Sequence, residues 1–173
     1  MTSKVLNRRY RSNRLFGDDN WHAINILDEL NLSPNNPFKK AVVRLNGQWI
    51  ASNNSTVNNL AGSSYSVFMS NSNYYVNSAN AVMYIDFISA PDNLTLKIMS
   101  RGEANYDYAT VSLAGVSLYS NTGNTGAAFT NISVSSPNDK TMTVTYRKDG
   151  SVHNDLDRAF IAIPSDIITE IIS

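Results

Sequence analysis

The sequence predicts an all-β chain, two sheets packed face to face, preceded by a basic arm and one short helix. Three observations carry that expectation. Short runs of alternating apolar and polar residues recur from Lys40 almost to the C-terminus. Gly, Asn, Pro and Ser separate those runs at intervals suited to turns. Before residue 40 no such alternation occurs, and basic residues crowd instead.

The stretch Lys140–Ile163 shows the pattern best. In Thr141–Tyr146, Met142, Val144 and Tyr146 point one way and Thr141, Thr143 and Thr145 the other, as in a half-buried strand. In Arg158–Ile163 both faces are apolar, which predicts a strand that is central or covered twice. Between them lie Asp149, Gly150, His153, Asn154, Asp155 and Asp157, a turn composition. A hairpin and a longer Greek-key crossing both fit.

At 173 residues the chain has room for one domain with a real core and an appendage. Its 14 basic and 14 acidic residues balance, so net charge selects no partner. Their placement is uneven: Lys4, Arg8, Arg9, Arg11, Arg14, Lys39, Lys40 and Arg44 face only Asp18, Asp19, Asp28 and Glu29 in the first quarter. We therefore divide the chain into residues 1–39, an arm and short helix for docking, and residues 40–173, a β-sandwich. There is no cysteine, hence no disulfide and no thiolate metal site. The N-terminal residues lack the apolar stretch of a secretory signal, and no run approaches the ~20 apolar residues that span a bilayer. The expectation is a protein made in a cytoplasm, with no membrane association.

Within residues 1–17 the bland reading is a frayed terminus. The functional one is an arm in which Arg8, Arg9, Arg11 and Arg14 make bidentate contacts while Tyr10 and Phe16 anchor, with Trp21 behind them. Five charges are too few to establish nucleic-acid binding, so protein docking is favoured. Asp18 or Asp19 caps a helix over roughly Asn20–Leu30, whose Trp21, Ile24, Leu27 and Leu30 form a packing stripe. His22 is alone there, and a metal site would need more ligands.

From Lys40, the sequence AVVRL-NG-QWIAS predicts two strands joined at Asn46-Gly47 by a type I′ turn. Asn53–Ser64 is expected to be a polar loop. Strands are expected at Tyr65–Met69, Tyr74–Val76, Ala81–Ile88, Leu94–Ser100, Tyr106–Leu113, Val116–Tyr119, Ala127–Val134, Thr141–Arg147 and Ala159–Ile163. Ser165–Ser173 fits a last strand or a short helix. So many short strands predict a sandwich of jelly-roll-like kind.

Catalytic patterns are missing. Two His in unrelated settings make no triad, and no phosphate loop or HExxH motif occurs. Asp149, Asp155 and Asp157 are weak candidates for Ca²⁺, because carboxylates suit hard cations but their spacing is not that of an EF-hand. Glu103 and Asp107 are the carboxyls a glycosidase would need, at a separation the sequence does not give. Tyr74 and Tyr106 are candidate glycan contacts, although Tyr in strands is more often packed. Asn53, Asn54, Asn93 and Asn131 begin glycosylation triplets that chance explains in so Asn-rich a chain. Neither a cofactor nor an enzymatic activity is expected.

Three blocks carry a resemblance. Glu103-Ala104-Asn105-Tyr106-Asp107-Tyr108 runs on through Val111 and Gly115; Thr143-Val144-Thr145-Tyr146-Arg147-Lys148-Asp149 follows; Asp157-Arg158-Ala159-Phe160-Ile161 is last. Over roughly Ala81–Pro164 the chain resembles the jelly-roll, carbohydrate-binding-like modules of bacterial surface proteins and phage virion proteins, notably those of gut bacteria and their phages. In such modules the Tyr and Asp of these blocks tie neighbouring strands and loops. Asn and Ser are the two commonest residues and only 16% are charged, as on exposed β-proteins. Together these imply a structural virion protein, a capsid decoration protein or a head- or tail-fibre adaptor. It would form homo-oligomers and dock on capsid, portal or tail subunits. The alternative is a carbohydrate- or receptor-binding module that contacts a host surface glycan.

Overall fold

A computed structural model describes residues 40–72, 76, 78–150 and 157–173. The predicted arm, the helix over Asn20–Leu30 and the docking candidates Arg8, Arg9, Tyr10, Arg11, Arg14, Phe16 and Trp21 lie outside these residues, as do Tyr74 and Asp155.

The described strands are β1 (Lys40–Arg44), β2 (Trp49–Ala51), β3 (Tyr65–Ser70), β4 (Asn80–Ser89), β5 (Asn93–Arg101), β6 (Tyr108–Leu113), β7 (Val116–Thr122), β8 (Thr130–Ser135), β9 (Lys140–Arg147), β10 (Arg158–Pro164) and β11 (Ile168–Ile172). Among the described residues one helix, α1 (Ser55–Ala61), follows β2, and one 3₁₀ turn, Ser165–Ile167, precedes β11. They form a six-stranded sheet in the order β11-β1-β4-β9-β6-β7 and a five-stranded sheet in the order β2-β3-β10-β5-β8. The predicted all-β, jelly-roll-like sandwich is what forms. Among the described residues β1 and β11 pair in parallel and the other pairings are antiparallel.

Alternation decides which face each strand buries. On β4, Ala81, Met83, Ile85 and Phe87 are buried; on β9, Met142, Val144 and Tyr146 are. Leu96 and Ile98 of β5, Ile132 and Val134 of β8, and Ile161 and Ile163 of β10 meet them from the other sheet in one core cluster. A fully buried aliphatic or aromatic side chain contributes about 1.5–3 kcal/mol, so this interleaved layer carries most of the stability.

β10 is buried on both faces, as its two-sided apolar sequence predicts. Its outward Phe160 and Ala162 join a second apolar cluster with Val67, Met69, Met99 and, from α1, Val57 and Ala61. The segment expected to be a polar loop therefore contains the helix that covers this strand. Asn54 caps it by accepting from the Val57 N–H at 3.1 Å, and Gly62 ends it at φ +95°. Lys97 reaches the same end: its Nζ donates to the Ala61 carbonyl at 2.6 Å and lies 4.0 Å from the centre of the Tyr65 ring.

Two connections differ from expectation. Asn46 and Gly47 do take positive φ, +55° and +64°, but β1 and β2 do not pair. β1 belongs to the six-stranded sheet and β2 to the five-stranded one, so the turn is a corner between sheets. The cause is burial: Ala41, Val43 and Leu45 before the turn and Trp49 after it all enter the main core, which a flat hairpin would not allow. β9 and β10 likewise lie in different sheets, which selects the crossing over the hairpin. Val76 is not in a strand, and the final segment is the 3₁₀ turn followed by β11.

Candidate functional site

The three sequence blocks converge at one end of the sandwich. Loop 102–107 enters β6, and the connection from β9 to β10 begins at Lys148 and ends at Asp157. Asp107 is fully buried at their centre. Its Oδ2 accepts from the Glu103 N–H at 2.7 Å and the Tyr146 hydroxyl at 3.3 Å, and its Oδ1 accepts from the Asp149 N–H at 3.1 Å. One carboxylate thus holds three segments, the tying role that the resemblance implies.

Glycine is required beside it. A Cβ on Gly102 would overlap the Tyr146 hydroxyl and come within 2.6 Å of Asp107 Oδ2. Gly123, at φ +80°, donates its N–H to the Asp107 carbonyl at 2.7 Å, and a Cβ there would strike the Ala104 backbone.

Lys148 is 1% exposed, and its Nζ lies 3.8 Å from Asp149 Oδ1 and 3.9 Å from Asp157 Oδ2. Two of the three weak Ca²⁺ candidates therefore surround an ammonium group that already supplies positive charge. No group of three metal-ligating side chains occurs among the described residues. Glu103 and Asp107 do not face a cleft as a pair: Asp107 is sealed from solvent and its oxygens are engaged by three donors. Tyr106 stands at the tip of the loop, 53% exposed.

A second surface arises from β9's alternation. With Met142, Val144 and Tyr146 inward, Thr141, Thr143 and Thr145 face outward and are half-buried. Register sets Thr145 beside Thr110 and Thr143 beside Ser112, and Thr110 beside Ser120. Two aromatics flank these hydroxyl rows. The Arg44 guanidinium lies 4.7 Å from the Tyr84 ring centre and Arg147 lies 5.6 Å from that of Tyr108. Arg44 also clasps Asp86, Nε to Oδ2 at 2.5 Å and Nη2 to Oδ1 at 2.9 Å, and Thr141 donates to Asp86 Oδ1 at 2.6 Å. The Arg44 hydrogen bond holds the Asp86 carboxyl below the usual carboxylate range, with Thr141 adding to it against partial burial. The sequence marked the Thr face as wet; what it missed was the alignment across three strands, which needs the strand order.

Neither a family model nor a curated protein matches the chain. Solved structures with similar stretches include the secreted serine protease VesC from Vibrio cholerae, at 14% identity and TM-score 0.38 over 70% of this chain and 29% of that one. The CUB1-EGF-CUB2 region of human MASP-1/3 aligns at 19% identity and TM-score 0.37, covering 67% of this chain and 41% of that one. The exo-β-1,3-galactanase of Phanerochaete chrysosporium aligns at 13% identity and TM-score 0.32, covering 71% and 29%. The chain spans less than half the length of each. Likeness at this level carries no argument about what the chain does.

Proposed function

We propose that the chain is a non-catalytic structural protein that works through its outer surface. Specifically, it is an accessory component of a phage particle, a capsid decoration or a head- or tail-fibre adaptor, docked through its basic N-terminal segment. The observation that carries this reading is the fate of Asp107. One of the two carboxyls that a glycosidase reading would use is buried and spent on bracing loops. The reading draws further support from the richness in Asn and Ser and from the basic N-terminal segment. The reading also rests on the sequence resemblance, in which such modules recur in virions.

The test is co-purification. Particles banded on a density gradient from a lysate containing the protein should carry it at fixed stoichiometry. Removal of residues 1–17 should abolish incorporation while the sandwich melts unchanged. Particles that band without the full-length protein would overturn the reading.

The outward Thr and Ser rows between Tyr84 and Tyr108 favour a second reading, a glycan-binding module, because hydroxyl rows with flanking rings match the edges and faces of sugars. Saturable binding on a glycan array that is lost in Tyr84→Ala or Tyr108→Ala would favour it over the first.

A further inference from the structure

Among the described residues one lysine is buried, at the junction of the two sheets. Lys148 directly follows β9 in the six-stranded sheet, and Asp157 directly precedes β10 in the five-stranded one. Both are out of solvent, at 1% and 0% exposure, with Nζ 3.9 Å from Oδ2. Their backbones are fixed: the Lys148 N–H donates to the Ala79 carbonyl at 2.8 Å, and Arg158 pairs with Arg101. The 3.9 Å separation is longer than a charge-assisted hydrogen bond of about 2.7–2.9 Å, and burial gives both groups a desolvation cost. As a pair of reactants it is favourable, since two fixed groups in a dry site react as one molecule and no bulk water competes.

We propose that Lys148 and Asp157 condense into an intramolecular isopeptide bond that staples the two sheets together. The ammonium first gives a proton to the neighbouring carboxylate, leaving an amine beside a carboxylic acid. Nζ then attacks Cγ of Asp157, and the N–C bond forms as the C–O bond to the departing hydroxyl breaks. Asp149 takes the proton released by nitrogen and returns it to that hydroxyl, which leaves as water. The balance is one water lost, with no oxidant, reductant or cofactor. Asp149 suits the relay: its Oδ1 lies 3.8 Å from Nζ, and its side chain is 23% exposed, which gives the released water a way out. Asp157 rather than Asp149 is the electrophile, because it is sealed from hydrolysis and is not the lysine's immediate chain neighbour. A chain without cysteine gains in this way a covalent brace that needs no oxidising compartment.

The test is mass spectrometry of the full-length denatured protein, whole and after trypsin. A linked chain is one water lighter than its sequence. It gives the peptide Lys148–Arg158 as a ring, uncut after Lys148. Lys148→Arg, which keeps the charge but cannot condense, should restore the full mass. The wild-type chain at its full sequence mass overturns the proposal. So does a water loss that persists in Lys148→Arg, since it then belongs to a succinimide at Asp149-Gly150.

Discussion

The hydroxyl of Tyr146 donates to the carboxylate of Asp107 across 3.3 Å, joining positions 39 residues apart inside a region closed to solvent. Their strands are neighbours, and Tyr146 stands opposite Ala109 in the ladder. The bond therefore fixes how loop 102–107 leaves the sheet.

Removing the two partners should cost different amounts. Tyr146→Phe deletes one donor of three and keeps the ring packed, so a loss of about 1–2 kcal/mol is expected. Asp107→Ala leaves a buried hydroxyl and two N–H groups without their acceptor, and should cost about 3 kcal/mol or more. Urea midpoints at constant m-value measure both. Equal losses would show that the carboxylate does not organise the loop.

Gly102→Ala and Gly47→Ala separate steric from conformational demand. At Gly102 the added methyl meets Tyr146 and Asp107, with an expected cost of about 2–4 kcal/mol. At Gly47 there is open space and only the positive φ opposes the methyl, so about 1 kcal/mol is expected. Thermal melts of the two variants should therefore rank Gly102→Ala as much the less stable.

Acid should weaken the outer face of the six-stranded sheet. Asp86 is depressed in the folded state, chiefly by its hydrogen bond from Arg44. Its contribution is thus present above the unfolded carboxylate value near pH 4 and is lost as pH falls through the lower folded value. With Arg44 40% and Asp86 31% exposed, the pair contributes only about 0.5–1 kcal/mol. Asp86→Asn should remove that part of the acid dependence and reduce the effect of added salt, as read from denaturation curves across pH 2–6.

Helix α1 stands or falls with its cap and the strand it covers. Asn54→Ala should cost about 1 kcal/mol and raise amide exchange in Ser55–Ala61. Phe160→Ala empties the space beneath Val57 and Ala61 and should cost about 3–5 kcal/mol. Exchange in α1 unaffected by either substitution would mean that the helix is held by other contacts.

Period-two strands were legible in the chain because alternation follows directly from burying one face. Met142, Val144 and Tyr146, and the double burial of β10, were correctly anticipated on that basis. Alternation does not say which strand lies beside which. The corner at Asn46-Gly47 has the residues of a hairpin, and only the burial of both Leu45 and Trp49 sends its arms to different sheets. Helix α1 was missed because Ser-Thr-Val-Asn-Asn-Leu-Ala has weak helix propensity; the usable signal was Asn54 before it, Gly62 after it and Val57 to Ala61 at spacing four. At the loop end, the bracing roles of Asp107 and Tyr146 were read through resemblance. Lys148 between Asp149 and Asp157 was not foreseen, since a lysine in a polar loop is ordinarily solvated.

The position of β10 has a consequence for biosynthesis. The middle strand of the five-stranded sheet is made after the other four, and β11, which flanks β1, comes later still. A nascent chain that has not yet delivered residues 158–172 has neither sheet complete, so its apolar faces must wait for these strands. Closure of both sheets is therefore expected only once β10 and β11 have emerged. Shielding by a chaperone or by early self-association would matter most in that interval.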